Sequence, residues 1–335
     1  MNSAGLIDLQ VNGYAGVDFN DAALDAAALD HALAAMLRSG VTCCLPTLIT
    51  APEPVLAERL AALGRAVTAS RLGPRMVPGY HLEGPFLNPA PGFAGCHPPG
   101  AMVPPDPALL RRLTARLAHP VLMLTLAPEQ AGGMALVRAA RALGMLVAIG
   151  HSAAGASELA DAAEAGATLS THLGNALPHT LTKFRNPLVA HLAEDRLAAS
   201  FIADGIHVPP PALKVLLRAK GLDRTVLVTD ATAAAATPPG IYRFAGMSIE
   251  HTENGTVRVP GGATLAGSAL CLDQAVRNVV AWGFAGPPEG IRLASANPAA
   301  LLAPALAAHG LRLPAGRIRW SDTLTVEHVD LDQAV

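Results

Sequence analysis

The chain has few of the features that mark secreted, membrane or nucleic-acid-binding proteins. It has 4 cysteines in 335 residues, and the only close pair, Cys43 and Cys44, is adjacent. Neither a disulfide framework nor a Cys-x-x-Cys metal site is therefore expected. Charged residues make up 15% of the chain, the formal net charge is −2, and lysine and arginine form no run that could follow a phosphate backbone. We expect no nucleic-acid partner.

Targeting and membrane signals are also missing from the sequence. The first residues show no basic segment leading into an apolar one. A long uncharged stretch, at residues 142–157, is interrupted by glycine, histidine and serine, so it does not resemble a membrane span. We expect a cytoplasmic protein.

What the sequence does contain is an alternation of short apolar runs with Ala/Leu-rich stretches of helical spacing. With 51% hydrophobic residues the chain can bury a large core. Strands are predicted at residues 6–11, 41–48, 76–82, 121–126, 145–150, 167–171, 199–203 and 225–229. Helices are predicted at 22–38, with Asp21 as the cap, and at 53–69, 107–117, 133–143, 156–165, 187–197 and 209–220. The pattern indicates parallel strands with crossover helices, in a closed barrel or an open doubly wound sheet.

Polar residues at the ends of the apolar runs favour the barrel. They end six of the predicted strands: Gln10 and Asn12, Glu83, His151, His172, Asp204 and Asp230. A ring brings the carboxyl ends of all strands to one mouth, whereas an open sheet spreads them along an edge. No Gly-x-Gly-x-x-Gly or P-loop sequence supports an open sheet. The predicted fold class is therefore an α/β protein with a (β/α)₈ TIM barrel.

The alternation of strands and helices changes after the eighth predicted strand. A β-hairpin is predicted at about 241–259, with a turn at Asn254 and Gly255, over the barrel mouth. Helices at 268–282 and 289–302 and short strands within 318–329 follow. We expect residues 1–303 to form the barrel and 304–335 a C-terminal β segment. The Pro/Gly-rich segments 88–105 and 237–240 are candidate substrate-covering loops.

The strand-end residues form a plausible metallohydrolase site. Glu83, His151 and His172 offer one carboxylate and two imidazoles, which leaves one vertex of a tetrahedral zinc ion open for water. Asp230 could then accept the proton, a combination suited to amide or ester hydrolysis. Glu83 could instead be an ion-pair partner, but no lysine or arginine lies between residues 75 and 111. Asp230 could also be a helix cap, and Asp204 is expected only to shape the pocket.

Eight sequence motifs then carry a resemblance. In order along residues 5–303, the chain resembles N-acetylglucosamine-6-phosphate deacetylases of the amidohydrolase superfamily. The motifs are D-L-Q-V-N-G at 8–13, H-L-E-G-P-F-L at 81–87, G-H-S at 150–152, T-H-L at 171–173, N-A at 175–176, A-D-G-I-H-V at 203–208, L-V-T-D-A at 227–231 and L-A-G-S-A-L at 265–270.

The resemblance implies a role for each matched position. Glu83, His151 and His172 would bind the metal. Asp230 would be the general base that later protonates the leaving amine, and His207 would stabilise the substrate carbonyl or hold the substrate. The resemblance also implies a homodimer that releases acetate from the N-acetylated amino sugar. The implied sugar pocket is lined by Cys96, His97, Asn175, Ala176, Asp204, Leu265, Ala266 and Gly267.

The chain also departs from the resembled pattern. Gln10 and Asn12 stand where most of the superfamily has H-x-H, so we expect a vestigial second-metal position and one divalent ion per subunit, most simply zinc. The loop expected to hold a phosphate-binding arginine has Lys183 nearest that place and Arg185 two residues on. Lysine offers a point charge where arginine offers a fork. The β structure that precedes the barrel in the resembled family is expected to be either reduced here or cut short at the start of the sequence.

Two alternatives to sugar-phosphate deacetylation therefore stay open. One is an amidohydrolase acting on a non-phosphorylated N-acyl compound or a cyclic amide. The other is a non-catalytic metal-binding barrel, against which the retained Asp230 argues because binding alone needs no free base.

Overall fold

The structure is a computed structural model that describes residues 1–331. Strands in chain order are β1 Asn2–Ala4, β2 Leu6–Val11, β3 Gly13–Tyr14, β4 Val17–Asp18, β5 Val41–Ile49, β6 Tyr80–Glu83, β7 Val121–Leu126, β8 Leu146–Ile149, β9 Ala167–Ser170, β10 Ala198–Ile202, β11 Thr225–Val228, β12 Gly240–Phe244, β13 Met247–His251, β14 Val257–Arg258, β15 Gly316–Trp320 and β16 Val326–Leu331. Helices are α1 Ala26–Arg38, α2 Glu53–Ala69, α3 Gly73–Met76, α4 Pro107–Thr114, α5 Gly133–Ala142, α6 Ala156–Ala165, α7 Pro187–Ala193, α8 Pro210–Lys220, α9 Leu272–Ala281, α10 Pro287–Leu293 and α11 Ala296–Ala308.

Eight parallel strands form the centre of the molecule. Neighbours pair in the order β2, β5, β6, β7, β8, β9, β10 and β11. The last strand returns to the first: the Asp230 amide donates to the Gln10 carbonyl at 2.9 Å, and the Asn12 amide donates to the Ala231 carbonyl at 2.7 Å. These bonds close the ring, so the predicted TIM barrel is confirmed and the open sheet is wrong. The strands are buried along almost their whole length because helices cover the ring.

The base of the barrel is covered by α11, which contacts β2 and β11 on one side of the ring and β7 and β8 on the other. The stretch 287–308, which comprises α10 and α11, is apolar and long enough by composition to cross a membrane. Half of that stretch is buried inside the protein, as for a core helix. Its apolar character is explained by its position beneath the ring.

Two three-stranded sheets flank the barrel, in addition to the two-stranded β3–β4 pair. Strand β1 pairs with β15, and β15 pairs with β16, so the chain's first residues join the C-terminal β segment. Strands β12, β13 and β14 form the excursion predicted after the eighth barrel strand. The boundary expected at residue 303 falls inside α11, and residues 332–335 of the expected C-terminal segment lie outside the described residues.

Several predicted boundaries are wrong for local reasons. Helix α1 is capped by Asp25, whose side chain accepts the Ala28 amide, and not by Asp21. The strand predicted to begin at 76 begins at Tyr80, since Met76 ends a short helix. The helix predicted from 268 begins at 272, because Ser268 is held in a bridge beside the eighth strand. The helix predicted at 289–302 is two helices with a break between them.

The predicted hairpin also has one strand more than expected. The turn between its two longer strands, β12 and β13, consists of Ala245 and Gly246. Both residues have a positive φ, and they connect Phe244 to Met247. The Asn-Gly turn at Asn254 exists, but it joins β13 to the short β14. Ala at the first turn position gave no sequence signal for a turn of this type.

Candidate metal centre and active site

A buried carboxylate surrounded by three imidazoles lies at the barrel mouth. Glu83, at the end of β6, is 2% exposed. Its Oε1 is 3.0 Å from His172 Nε2 and 3.4 Å from His151 Nε2, and its Oε2 is 3.6 Å from His97 Nε2. The predicted convergence of Glu83, His151 and His172 is therefore observed. His97 joins them from the loop at 88–105, hereafter the covering loop.

The backbone at the strand ends is held in an uncommon conformation. His151, His172 and Asp230 have φ of 52°, 32° and 50°, in the left-handed region that non-glycine residues seldom adopt. Each such residue costs about 1–3 kcal/mol and persists only where the surroundings impose it. His151 Nδ1 donates to the carbonyl of Phe93 at 2.7 Å, which leaves Nε2 unprotonated toward Glu83 in the neutral ring.

The residues at this point fit a divalent metal ion. Ligand atoms of Glu83, His97 and His151 all lie within 4.8 Å of one another. A carboxylate together with imidazoles is a donor set typical of zinc. Buried carboxylates are costly without a cation, and no arginine or lysine of the described residues pairs with Glu83. His172 Nδ1 is buried and has no hydrogen-bond partner among the described residues.

The charges of the cluster are strongly coupled. Burial acts to raise the pKa of Glu83, but its contacts with the imidazoles of His151, His172 and His97 outweigh burial and hold that pKa well below its usual range. Burial acts to lower the pKa of His172, and the adjoining Glu83 carboxylate reverses this, so the pKa is raised. Burial and the neighbouring His151 lower the pKa of His97 to about 4. Glu83 is thus anionic, as a metal ligand must be.

Asp230 ends the eighth strand opposite the cluster. Its Oδ1 accepts hydrogen bonds from Asn12 Nδ2 at 2.7 Å and from Gln10 Nε2 at 3.2 Å. Gln10 Nε2 also donates to Glu83 Oε1 at 3.0 Å, so it bridges the two carboxylates. Burial, and then the charge of Glu83, raises the pKa of Asp230 to about 6. A carboxylate with a raised pKa that is not part of the cluster suits a general base.

His207 faces the same cavity from the seventh strand's loop. Its Nδ1 lies 2.6 Å from Asp204 Oδ2, and Asp204 Oδ1 accepts the amides of Ile206 and His207 at 2.8 and 2.9 Å. Burial acts to raise the pKa of Asp204, but hydrogen bonding to His207 and the backbone lowers it overall. Asp204 therefore fixes the ring of His207, which lines the mouth cavity, and does not line that cavity itself.

A polar layer beneath the mouth supports the strands that carry the site. His81 Nδ1 lies 3.1 Å from Thr47 Oγ1, and His81 Nε2 lies 2.8 Å from Thr125 Oγ1. Thr125 Oγ1 continues to Thr171 Oγ1 at 3.0 Å. Burial lowers the pKa of His81 to about 4, so the ring is neutral and offers one donor and one acceptor. This chain of bonds links four barrel strands one layer below the cluster.

Comparison with known proteins identifies the family. The profile of the amidohydrolase family matches residues 1–241. The chain is 38% identical over 298 residues to N-acetylgalactosamine-6-phosphate deacetylase of Escherichia coli O157:H7, with 88% of this chain and 76% of that protein covered. It is 36% identical over 314 residues to N-acetylglucosamine-6-phosphate deacetylase of Bos taurus, with 89% and 73% covered. The crystal structure of N-acetyl-D-glucosamine-6-phosphate deacetylase from Mycobacterium smegmatis matches with a TM-score of 0.87 and 31% identity, covering 99% of this chain and 86% of that chain.

The chain belongs to the N-acetylglucosamine-6-phosphate deacetylase family of amidohydrolases. It is accordingly a hydrolase of amide bonds, and its family is metal-dependent.

The cavity at the mouth of this amidohydrolase has a volume of about 570 Å³. Most of the residues expected to form the site line it: Glu83, Cys96, His97, His151, His172, Asn175, Ala176, His207, Asp230, Leu265 and Gly267. Ala266 does not line the cavity but is buried against the β12–β14 excursion. Lys183 and Arg185 are exposed on their loop and do not line it either. Among the described residues that line the cavity there is no lysine or arginine.

Sequence reasoning missed some residues of the amidohydrolase site. Phe244 lines the cavity, and Glu129 holds the segment after His151, but neither residue ends an apolar run or belongs to a quoted motif. His191 is buried as well, with Nδ1 2.7 Å from Ser170 Oγ. Its position in a short helix gave no signal of this contact.

Proposed function

We propose that this amidohydrolase removes the acetyl group of an N-acetylated amino sugar 6-phosphate, most simply N-acetylglucosamine 6-phosphate, giving glucosamine 6-phosphate and acetate. The observation that carries the proposal is the convergence of Glu83, His151 and His172 in a cavity that Asp230 faces. The names of the relatives, which include deacetylases of both N-acetylglucosamine and N-acetylgalactosamine 6-phosphates, support it. They also leave the configuration of the sugar at C4 as a question for experiment.

In this proposal Glu83, His151 and His172 hold one divalent ion, with zinc as the expected metal. Such an ion supplies Lewis acidity that activates water and polarises an acyl oxygen. Asp230 takes the proton of the attacking water and passes it to the leaving amine nitrogen. His207, with Nδ1 held by Asp204, presents Nε2 to the substrate. Asn175, Ala176, Cys96, Leu265 and Gly267 would contact the sugar, and His97 would contact the acyl group or the ion.

The phosphate requires a cation that the cavity lining does not supply. Lys183 and Arg185 lie on an exposed loop together with Phe184, whose side chain is 81% exposed. A homodimer in which this loop reaches the cavity of the partner would place a positive charge there, as the family resemblance implies. The same absence of charge keeps the non-phosphorylated N-acyl substrate as the second candidate.

The first experiment measures acetate release from a panel of N-acetylglucosamine 6-phosphate, its galactosamine counterpart and both unphosphorylated sugars. We expect turnover of a phosphorylated sugar, with KM raised for that substrate alone in Lys183→Ala and Arg185→Ala. Preference for unphosphorylated sugars would favour the second candidate. Release from no substrate by a metal-loaded protein would support the non-catalytic barrel.

The second experiment tests the general base. Asp230→Asn keeps the hydrogen-bonded shape of the side chain but cannot accept the proton, so kcat should fall by about 10²–10⁴ while the metal content stays unchanged. The matched control is Asp161→Asn, an exposed position on α6 remote from the mouth. Near-normal turnover by Asp230→Asn would contradict the assignment.

A further inference from the structure

Glu129 connects two segments at the barrel mouth that otherwise approach from different strands. It follows β7, and its Oε1 accepts the side-chain amide of Asn88 at 2.9 Å and the backbone amide of Ala153 at 2.7 Å. Its Oε2 accepts the hydroxyl of Ser152 at 2.6 Å. Asn88 begins the covering loop, and Ser152 directly follows His151. One carboxylate thus joins the covering loop to the segment that carries a cluster imidazole.

The covering loop in turn contributes directly to the cluster. The carbonyl of Phe93 accepts Nδ1–H of His151 at 2.7 Å and so fixes which ring nitrogen faces Glu83. The loop also carries His97, whose Nε2 lies 3.6 Å from Glu83 Oε2. A second bond, from the backbone amide of Asn88 to the carbonyl of His151 at 3.1 Å, lies beside the Glu129 contacts. Two of the three imidazoles around Glu83 therefore depend on where this loop sits.

Regular secondary structure does not explain how the loop keeps that position. Within residues 88–105 the only regular element is a short 3₁₀ turn at Pro99–Ala101. Gly92 and Gly95 have φ of 89° and 60°, which increases the conformational freedom that an untethered loop would have. A side-chain tether at the start of the loop reduces that freedom most where the chain leaves the barrel. Glu129 is placed to supply this tether.

We propose that Glu129 is a positioning residue that clamps the covering loop to the His151 segment and thereby orients the imidazoles of the metal centre. The part of the proposal that concerns metal binding rests on the proposed function. Glu129 acts through these contacts, since it does not line the mouth cavity. Its three partners are all neutral donors, so the clamp needs acceptor geometry and not charge.

Two substitutions at Glu129 separate the need for a hydrogen-bond acceptor from the need for a negative charge. In Glu129→Gln, the amide oxygen can keep the bonds from Asn88 and Ala153. The amide nitrogen can donate to Ser152 Oγ, which already accepts the Ala154 amide at 3.0 Å and has a second lone pair. In Glu129→Ala all three donors lose their acceptor. The glutamine variant should therefore resemble the wild type, and the alanine variant should not.

The test compares these variants with Gln130→Ala, the neighbouring position, as the matched control. Three quantities are measured: loss of metal from the holoenzyme to a chelator, kcat and KM, and hydrogen exchange of residues 88–97 in the metal-free protein. Glu129→Ala should lose metal about 10–100-fold faster and lose a similar factor in kcat, with faster exchange in the loop. Glu129→Gln and Gln130→Ala should match the wild type in all three.

Asn88→Asp provides an independent variant that leaves Glu129 in place. It sets two carboxylates at the 2.9 Å contact, and the Asp oxygen that replaces Oδ1 still accepts the Ala90 amide. It should reproduce the Glu129→Ala effects, and it serves in place of that variant if the alanine protein does not fold.

Two outcomes would overturn the proposal. One is a Glu129→Gln protein as impaired as Glu129→Ala, which would indicate a role for the charge or for proton transfer. The other is a Glu129→Ala or Asn88→Asp protein with wild-type metal loss and loop exchange. If no deacetylation is found in any variant but loop exchange responds as expected in the metal-free protein, the clamp stands and the proposed function fails.

Discussion

Asp8 allows a quantitative prediction about how the stability of this protein depends on pH. The side chain is 0% exposed inside the barrel. Its Oδ2 accepts the Thr229 hydroxyl at 2.6 Å, and its Oδ1 accepts the amides of Thr229 and Gln10 at 3.2 and 3.3 Å. Burial raises the pKa of Asp8 from 3.8 to about 7, against these hydrogen bonds and with a smaller contribution from the charge of Asp230.

The sign follows from proton uptake in the two states. Because the folded pKa lies above the unfolded one, the folded protein holds a proton on Asp8 that the unfolded chain has released. This contribution to stability is fully present below about pH 4 and is lost as pH rises to about 7. A difference of about three pKa units corresponds to about 4 kcal/mol in total. About 2–3 kcal/mol of it falls between about pH 5 and pH 8.

The perturbation is Asp8→Asn, which removes the titration and keeps the bonds. The amide oxygen can accept the two backbone amides, and the Thr229 hydroxyl can turn to the Gln10 carbonyl, 3.3 Å away. Unfolding of the metal-free wild type and variant is followed by circular dichroism between about pH 5 and pH 8. As pH rises over that range, the free energy of unfolding of the variant should increase relative to that of the wild type by about 2–3 kcal/mol. For a chain of this length this corresponds to about 4 °C in Tm.

Asp161→Asn, at an exposed position on α6, is the control and should keep a constant difference from the wild type at every pH. The difference in free energy of unfolding between Asp8→Asn and the wild type could instead stay constant, or move in favour of the wild type, as pH rises. Either result would show that Asp8 is not protonated in the folded barrel.

Three further changes test other parts of the structure. Lys220→Met should lower the free energy of unfolding by about 2–4 kcal/mol in urea, because the buried ammonium donates to two backbone carbonyls near the end of α7 at 2.9 and 2.8 Å. Gly84→Ala should cost at least about 1–3 kcal/mol in thermal unfolding, since Gly84 has φ of 89° and an added Cβ would lie 2.2 Å from Thr50 Oγ1. Asp204→Asn should lower kcat/KM by about 10–100-fold with unchanged metal content, because it weakens the hold on His207; unchanged kcat/KM would contradict that role.

The barrel was predictable because its strands carry a simple physical signature. Strands buried on both faces read as continuous apolar runs, and each ends where a polar side chain reaches the mouth. Glu83, His151 and Asp230 mark such ends, and the structure brings them together. Boundaries set by tertiary contacts were not predictable. The start of α9 is one example, because Ser268 is drawn into a bridge beside the eighth strand.

The missed parts of the site lie in loops, whose positions are set by contacts distant in sequence. His97 was expected to line the sugar pocket, but the distance of its Nε2 from Glu83 depends on how the covering loop folds back over the mouth. Glu129 acts through partners 41 and 23 residues away, which no local pattern reveals. Asp204 was expected only to shape the pocket, and its bond to His207 three residues later depends on a loop conformation that the sequence does not reveal.

The first strand bears on how many metal ions we expect, because it carries the amides Gln10 and Asn12 where the resembled pattern has two histidines. Glu83 and Asp230 face each other closely enough that the charge of one raises the pKa of the other. A second cation between them would offset that repulsion. Here the amide of Gln10 donates to both carboxylates, and that of Asn12 donates to Asp230 at 2.7 Å. These donors offset the repulsion without adding charge, and Asp230 keeps a raised pKa and stays free to move a proton. We therefore expect a single metal ion, because the side chains at the position predicted for a second one already supply the donors that offset this repulsion.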